Sequence, residues 1–156
     1  VADIAVDLEI ARPPAEVRAW WTQAPDDYRA SDPREQPHRI VTLSRTPEEW
    51  KVLTYWRVPP LRNLRVPETF RFRPDGWDVD VGLPLGLAQK DEFTLAATPG
   101  GTRVSIRVTI RARNAWGRLA RPAFLRFARR SYARTWRAAA KLCERDAPRL
   151  DPSFAR

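Results

Sequence analysis

Side chains able to do acid–base, nucleophilic or metal chemistry are few and scattered in this chain. His38 is the sole imidazole, the group whose ordinary titration lies nearest neutral pH. It follows Pro37 at the start of a strand, where it reads either as a general base or as an exposed loop residue. Asp78 and Asp80 lie two apart on a strand and therefore share a face. Paired carboxylates in that spacing can divide acid and base roles. The competing reading pairs them with Arg71 and Arg73 across the sheet, each exposed pair contributing on the order of 0.5 kcal/mol. Cys143, the only cysteine, falls on the apolar side of a helix near its end, the setting of a buried, inert thiol. One histidine and one cysteine exclude a zinc site built from those ligands. Gly100-Gly101 reads as a hairpin turn, with no Gly-rich phosphate loop and no Gly-x-Ser-x-Gly elbow in the chain. No catalytic set, metal or cofactor is called for.

The elements that must position these groups are most legible from Thr98 to Ala147. Thr98-Pro99-Gly100-Gly101-Thr102 is a turn. Val104, Ile106, Val108 and Ile110 then alternate with Arg103, Ser105, Arg107, Thr109 and Arg111, the pattern of a half-buried strand. From Ala115 the period becomes helical and holds to Ala147, where Pro148 stops it. Pro122 predicts a kink or a fresh start, because its ring clashes with the Arg118 carbonyl; Gly117 is close enough to help. At about 100° per residue, Leu125, Ala128, Tyr132, Thr135, Trp136, Ala139, Leu142 and Cys143 gather on one side. Phe124, Phe127, Ser131 and Ala138 widen that side, and Arg126, Arg130, Arg134, Arg137, Lys141 and Arg145 form the opposite stripe. So broad an apolar side faces a core. A long strand feeding a long terminal helix implies a curved sheet wrapped around that helix, enclosing a cavity.

Upstream, Ile4, Val6, Leu8 and Ile10 alternate with Ala5, Asp7 and Glu9 in a first strand. Pro13-Pro14 opens a helix whose apolar face is Val17, Trp20 and Trp21, ended by Pro25. A second short helix is expected over Pro25 to Ala30, then a polar loop from Ser31 to Pro37. Strands follow over Arg39 to Ser44, Trp50 to Val58, Glu68 to Arg73, Trp77 to Leu83 and Lys90 to Ala97. Pro59-Pro60 breaks the second of these, and Leu61 to Arg65 reads as loop. Pro74-Asp75-Gly76 is a hairpin signal. Short strands joined by tight turns make an antiparallel sheet.

With 156 residues the chain is long enough for one well-buried core, expected over residues 1–148, with 149–156 as a tail. Its 43% hydrophobic and 30% charged content is that of a globular rather than a disordered protein. No apolar run approaches the roughly 20 residues of a bilayer span, and no export-signal pattern is legible at the N-terminus. A single cysteine fits a cytoplasmic setting. The net charge of +9 is localised. Between Arg113 and Arg145 there are ten Arg or Lys and one acid, Glu144, while the rest of the chain balances.

Two blocks carry a resemblance: Ile10-Ala11-Arg12-Pro13-Pro14-Ala15-Glu16-Val17-Arg18-Ala19-Trp20, and Asp91-Glu92-Phe93-Thr94-Leu95 followed by Thr98-Pro99-Gly100-Gly101-Thr102-Arg103-Val104. In these and in its order of elements the chain resembles the START-related, birch-pollen-allergen-like (SRPBCC) superfamily, the polyketide cyclase/dehydrase and lipid-transport group. The resemblance covers nearly the whole chain and implies an α+β helix-grip fold. In it a curved antiparallel sheet of about six or seven strands surrounds a long C-terminal helix, with two short helices after the first strand. It also implies a ligand cavity between sheet and helix. Its walls would be Trp56, Phe70, Phe72, Val79, Phe93, Leu95, Ile106 and Val108 from the sheet and Phe124, Ala128, Tyr132 and Trp136 from the helix. These side chains either line a cavity or fill it.

The expected function is binding, with or without transport, of a small hydrophobic or amphipathic molecule such as a lipid, isoprenoid or polyketide. The first alternative is a polyketide cyclase or dehydratase, whose polar candidates here would be Tyr55, Tyr132, Thr54, Arg57 and Asp91. Ser131 and Thr135 add hydroxyls on the helix. The second is an interaction module using the basic helix face. That face is a solvated outer surface, a docking site for anionic lipid through Arg126, Arg130, Arg134, Arg137 and Lys141, or a contact for an acidic partner protein. Nucleic acid is disfavoured, since no helix-turn-helix or RNP-type motif accompanies the charge.

Overall fold

Antiparallel pairing dominates this chain because its apolar residues recur at every second position over most of its strand segments. A computed structural model describes residues 1–31, 36–58 and 61–146. The elements are β1 (Ile4–Ile10), α1 (Pro14–Thr22), β2 (Asp27–Arg29), β3 (Arg39–Arg45), β4 (Glu49–Val58), β5 (Leu61–Arg73), β6 (Gly76–Gly82), β7 (Leu87–Thr98), β8 (Gly101–Ala112) and α2 (Ala115–Asp146). All strands join one sheet in the order β1-β8-β7-β6-β5-β4-β3-β2. The expected loop at residues 32–35, the Pro59-Pro60 break, Pro148 and the tail at 149–156 lie outside the described residues.

Register aligns the inward positions into rows across the sheet. One row runs Val6–Ile106–Phe93–Trp77–Phe72. The next runs Ile4–Val108–Asp91–Val79–Phe70–Trp50. A third runs Ile110–Gln89–Val81–Glu68–Val52. The helix α2 lies across β1, β8 and β7, burying Leu125, Ala128, Ala140 and Cys143. Near its start Arg121 donates to the Asp3 carboxylate and the Ile110 carbonyl, both at 2.7 Å. Near its end the Glu144 carbonyl accepts from the Arg12 guanidinium at 2.8 and 3.0 Å, and its carboxylate accepts from the Ala11 N–H at 2.9 Å. The helix is thereby fixed at both ends to the strands it crosses.

Several expectations are corrected. Among the described residues the sheet has eight strands rather than six or seven. Among them one short helix follows β1: the segment expected as a second helix, Pro25 to Ala30, contains the edge strand β2 instead. Three residues carry no periodicity; they pair with β3 through the backbone ladder, and the Arg39 guanidinium meets Asp27 at 2.8 and 3.1 Å across the pair. Leu61 to Arg65 is the start of β5, paired with β4 through Leu64 and Trp56, beyond a register shift next to Val58. On α2, Phe127, Thr135 and Ala138 are exposed rather than part of the buried side. The helix does not start afresh at Pro122; it runs through that residue.

Asn114 caps α2: its side-chain oxygen accepts from the Gly117 N–H at 2.8 Å and its carbonyl from the Arg118 N–H at 3.1 Å. The β6–β7 loop packs directly on this cap, with the Arg113 N–H donating to the Gly86 carbonyl at 2.8 Å. A Cβ at Gly117 would lie 2.4 Å from that same carbonyl oxygen. Helix propensity alone says that Gly117→Ala stabilises by about 1 kcal/mol. The close approach reverses the sign, and we expect a loss of about 2 kcal/mol in chemical denaturation. An unchanged or raised midpoint would show that the loop does not pack there.

Candidate functional site

Inward-facing positions in this sheet are apolar with a few exceptions, and the exceptions cluster. Glu68 on β5, Gln89 and Asp91 on β7 and Thr54 on β4 share the inner face, and Tyr132 reaches them from α2. The Tyr132 hydroxyl donates to the Gln89 side-chain oxygen at 2.8 Å. The Gln89 amide N–H group donates to both Asp91 oxygens, at 2.8 and 3.0 Å. The Trp56 indole N–H donates to the Thr54 hydroxyl oxygen at 3.0 Å. That oxygen in turn lies 2.9 Å from Glu68 Oε1 and 3.0 Å from the Val66 carbonyl.

Proton counting admits either state of Glu68. Thr54 has one hydroxyl proton and faces two oxygens. The Val66 carbonyl can only accept. The Thr54 hydroxyl can donate to an ionised Glu68 or, when Glu68 is protonated, to Val66. Burial favours the protonated form. It pushes the Glu68 carboxyl up to about 7, against the opposing hydrogen bonds from Thr54 and Trp56. Asp91 is raised well above the usual carboxylate range, chiefly by burial and further by Glu68, against the Gln89 hydrogen bonds. Tyr132 is raised as well, by burial first and then by the two acids. Among the described residues neither Glu68 nor Asp91 makes an ion pair.

The two ends of the inner face differ. Towards α1 it is filled. Phe93 stacks on Trp77 at 4.9 Å, with Trp21 at 5.8 Å and Trp136 edge-on at 6.2 Å. Phe72 is covered by the Arg18 guanidinium, 5.8 Å from its ring centre. At the other end Trp56, Leu64, Glu68, Leu83 and Phe124 are half-buried, and the polar cluster lies between them and the aromatic packing.

Of the residues expected to line a cavity, Val79, Phe93, Ile106, Val108 and Ala128 are fully enclosed core. Trp56, Phe70, Phe72, Leu95, Phe124, Tyr132 and Trp136 are half-buried. Trp56 and Tyr132 touch the polar cluster; Phe124 stands 6.4 Å from Tyr132. Phe72 and Leu95 lie towards α1, away from the cluster. Two open grooves, of about 410 and 540 Å³, lie along α2 around Arg126 and Arg130 rather than between sheet and helix.

Thr54, Asp91 and Tyr132 therefore converge, whereas Tyr55 and Arg57 project from the opposite face of β4. Tyr55 packs there against His38 and under Arg39. His38 bonds Asn63 at 3.1 Å, remote from the cluster. Ser131 and Thr135 bond back to helix carbonyls at 3.0 Å. Asp78 and Asp80 are ion-pair partners on the outer face, with Arg73 at 3.4 Å and Lys90 at 3.5 Å from Asp78, and Arg71 on Asp80. Cys143 is enclosed, its thiol pushed up to about 12 by burial and by neighbouring Glu144. Glu68 and Gln89 were missed by sequence reasoning. The signal was parity: 68 shares a face with Phe70 and Phe72, and 89 with Phe93.

A stability prediction follows from the raised acids. Between the unfolded value of 4.5 and the folded value of about 7, only the folded chain holds the Glu68 proton. Stability must then fall as pH rises through that interval, by up to about 3 kcal/mol from Glu68. Asp91 adds to the same slope. Chemical denaturation from pH 4.5 to 8 should show the decline in the parent and a shallower one in Glu68→Gln. Identical pH profiles would mean that Glu68 titrates normally.

No protein-family model matches the chain, and no curated protein matches it. Solved structures do. The di-domain ARO/CYC protein StfQ from the steffimycin biosynthetic pathway is 16% identical with a TM-score of 0.60, over 92% of this chain and 48% of its own. The di-domain ARO/CYC protein BexL from the BE-7585A biosynthetic pathway is also 16% identical, with a TM-score of 0.64, over 92% and 49%. This chain thus spans about half the length of either. TTHA0849 from Thermus thermophilus is 12% identical with a TM-score of 0.58, over 92% of this chain and 95% of that one. At such identities the likeness is one of fold alone: an antiparallel sheet gripping a long C-terminal helix, the helix-grip fold.

Proposed function

We propose that the protein binds a small apolar or amphipathic molecule, of the lipid, isoprenoid or polyketide kind, at the Trp56 and Glu68 end of the concave sheet face. A carbonyl or hydroxyl of that molecule would meet Glu68 and Asp91. One observation carries the reading: two carboxyl groups without an ion pair among the described residues stand on a largely apolar inner face, Asp91 buried and Glu68 half-buried near Trp56. Unpaired buried acids cost stability, and sites that keep them are commonly functional. A protonated carboxyl offers one donor and spare acceptor capacity, which suits a neutral oxygen far better than a carboxylate or phosphate. Trp56, Phe124 and Tyr132 would border the ligand, with Phe70 and Trp136 behind them. Val79, Phe93, Ile106, Val108 and Ala128 would hold the wall, and Phe72 and Leu95 would close its α1 end. The shared fold with two ARO/CYC proteins of biosynthetic pathways supports a ligand of this kind.

A second reading, polyketide cyclisation or dehydration, is favoured by the Glu68 value near 7, which suits a group that gives and takes a proton. Under it Glu68→Gln removes turnover and keeps affinity; under simple binding it lowers affinity alone.

The test is displacement of the neutral dye N-phenyl-1-naphthylamine at pH 6 by decanol, decanone and decane. We expect decanol and decanone to displace more strongly than decane once water solubility is allowed for, and Glu68→Gln to shrink that preference by about tenfold. Absence of dye binding, or a preference that the substitution leaves intact, would contradict the reading.

A further inference from the structure

The outer side of α2 near its start carries a second, unexplained feature. Trp116 is 72% exposed, Leu119 75% and Phe127 52%, with Ala123 exposed between them. Their spacing of three and four places them on one stripe. Leu125, which is buried, lies half a turn away from Trp116 on the same helix. The β6–β7 loop adds Leu85, 67% exposed and held at a φ of 60°. Its neighbour Gly86 receives the Arg113 N–H at 2.8 Å, so Leu85 stands at the same end of α2.

Arginines flank this apolar stripe. Arg113, Arg126, Arg130 and Arg134 are exposed, and none forms an ion pair among the described residues. From Phe93 to Cys143 the chain contains no acidic residue at all. The open groove of about 410 Å³ runs between Arg126, Arg130 and Arg134 over Phe127. The large apolar side chains share the arginine side of the helix, contrary to the expectation that aromatics and arginines occupy opposite sides. They are confined to its first half: Arg137 and Lys141 have no exposed aromatic or leucine beside them.

We propose that this face docks on an anionic bilayer surface, with Trp116, Leu119, Phe127 and Leu85 in the interfacial layer and Arg126, Arg130 and Arg134 on lipid phosphates. Tryptophan, leucine and phenylalanine beside arginines are the composition of an interfacial helix face. A second copy fits poorly, because a twofold contact through this patch sets arginines against arginines. A nucleic acid would satisfy the arginines and leave Leu85 and Leu119 against phosphodiester and water. Phe124 lies 6.3 Å from Phe127 on the docking face and 6.4 Å from Tyr132 at the polar cluster, and thus stands between the two. The docking proposal stands on the surface residues alone and does not depend on what the interior binds.

The experiment is co-sedimentation of the full chain with vesicles of phosphatidylcholine alone and of phosphatidylcholine mixed with phosphatidylglycerol. We expect binding to the mixed vesicles, at least about tenfold weaker on pure phosphatidylcholine and weakened again at about 0.5 M salt. The double variant Trp116→Ala, Phe127→Ala should lose about tenfold or more with an unchanged melting temperature, since both side chains are solvent-facing. The pair Arg137→Ala, Lys141→Ala should lose less. Failure to bind mixed vesicles, or undiminished binding by the aromatic double variant, would overturn the proposal. So would tighter binding to single-stranded DNA than to mixed vesicles, or a self-association that the same variant abolishes.

Discussion

Side chains two apart on a β-strand point the same way, and on β7 that constraint decides much of the rest. Phe93 faces inward because Trp77 and Trp136 enclose it, and Leu87 faces inward at the other end of the strand. With no bulge between them, Gln89 and Asp91 are carried inside by parity. The same holds on β5, where Val66 and Phe70 take Glu68 inward between them. A one-residue slip would rescue both acids and expel the aromatic core, so the ladder as a whole holds the acids in place.

The cost of those acids is met by a division along the sheet. Towards α1, Trp21, Trp77, Phe93 and Trp136 pack edge to face and face to face, the dense arrangement that stabilises a small domain. The Arg121–Asp3 and Arg12–Glu144 contacts then fix α2 across β1, β8 and β7. Because the helix covers these strands and not the middle of β4 and β5, Trp56, Leu64 and Glu68 stay half-buried. Packed core and half-buried end are two consequences of where one helix lies.

The architecture was legible because long periodic segments announce themselves: β8, β7 and α2 carry enough alternation or helical spacing to be read directly. β2 was not, since Asp27-Tyr28-Arg29 has neither length nor pattern and owes its place to pairing with the next strand. The start of β5 was hidden by the adjacent prolines. The candidate site was legible in part. Asp91, Thr54 and Tyr132 stood out as polar residues on apolar elements, yet Tyr55 and Arg57 were equal candidates until strand parity placed them outside. Glu68 escaped because a glutamate at the apparent beginning of a strand reads as solvent-facing. Its true position, in the middle of a thirteen-residue strand, follows only once that strand is extended.

The account of the site depends on Glu68 and Asp91 holding their protons to higher pH than ordinary carboxyl groups. The direct measurement is a site-resolved carbon-13 titration of their carboxyl groups by nuclear magnetic resonance, without ligand and with saturating decanol. We expect a Glu68 midpoint near 7, with Asp91 well above ordinary aspartates. Both should move further up when decanol displaces water from the cleft. Midpoints in the ordinary carboxylate range, unmoved by decanol, would contradict it.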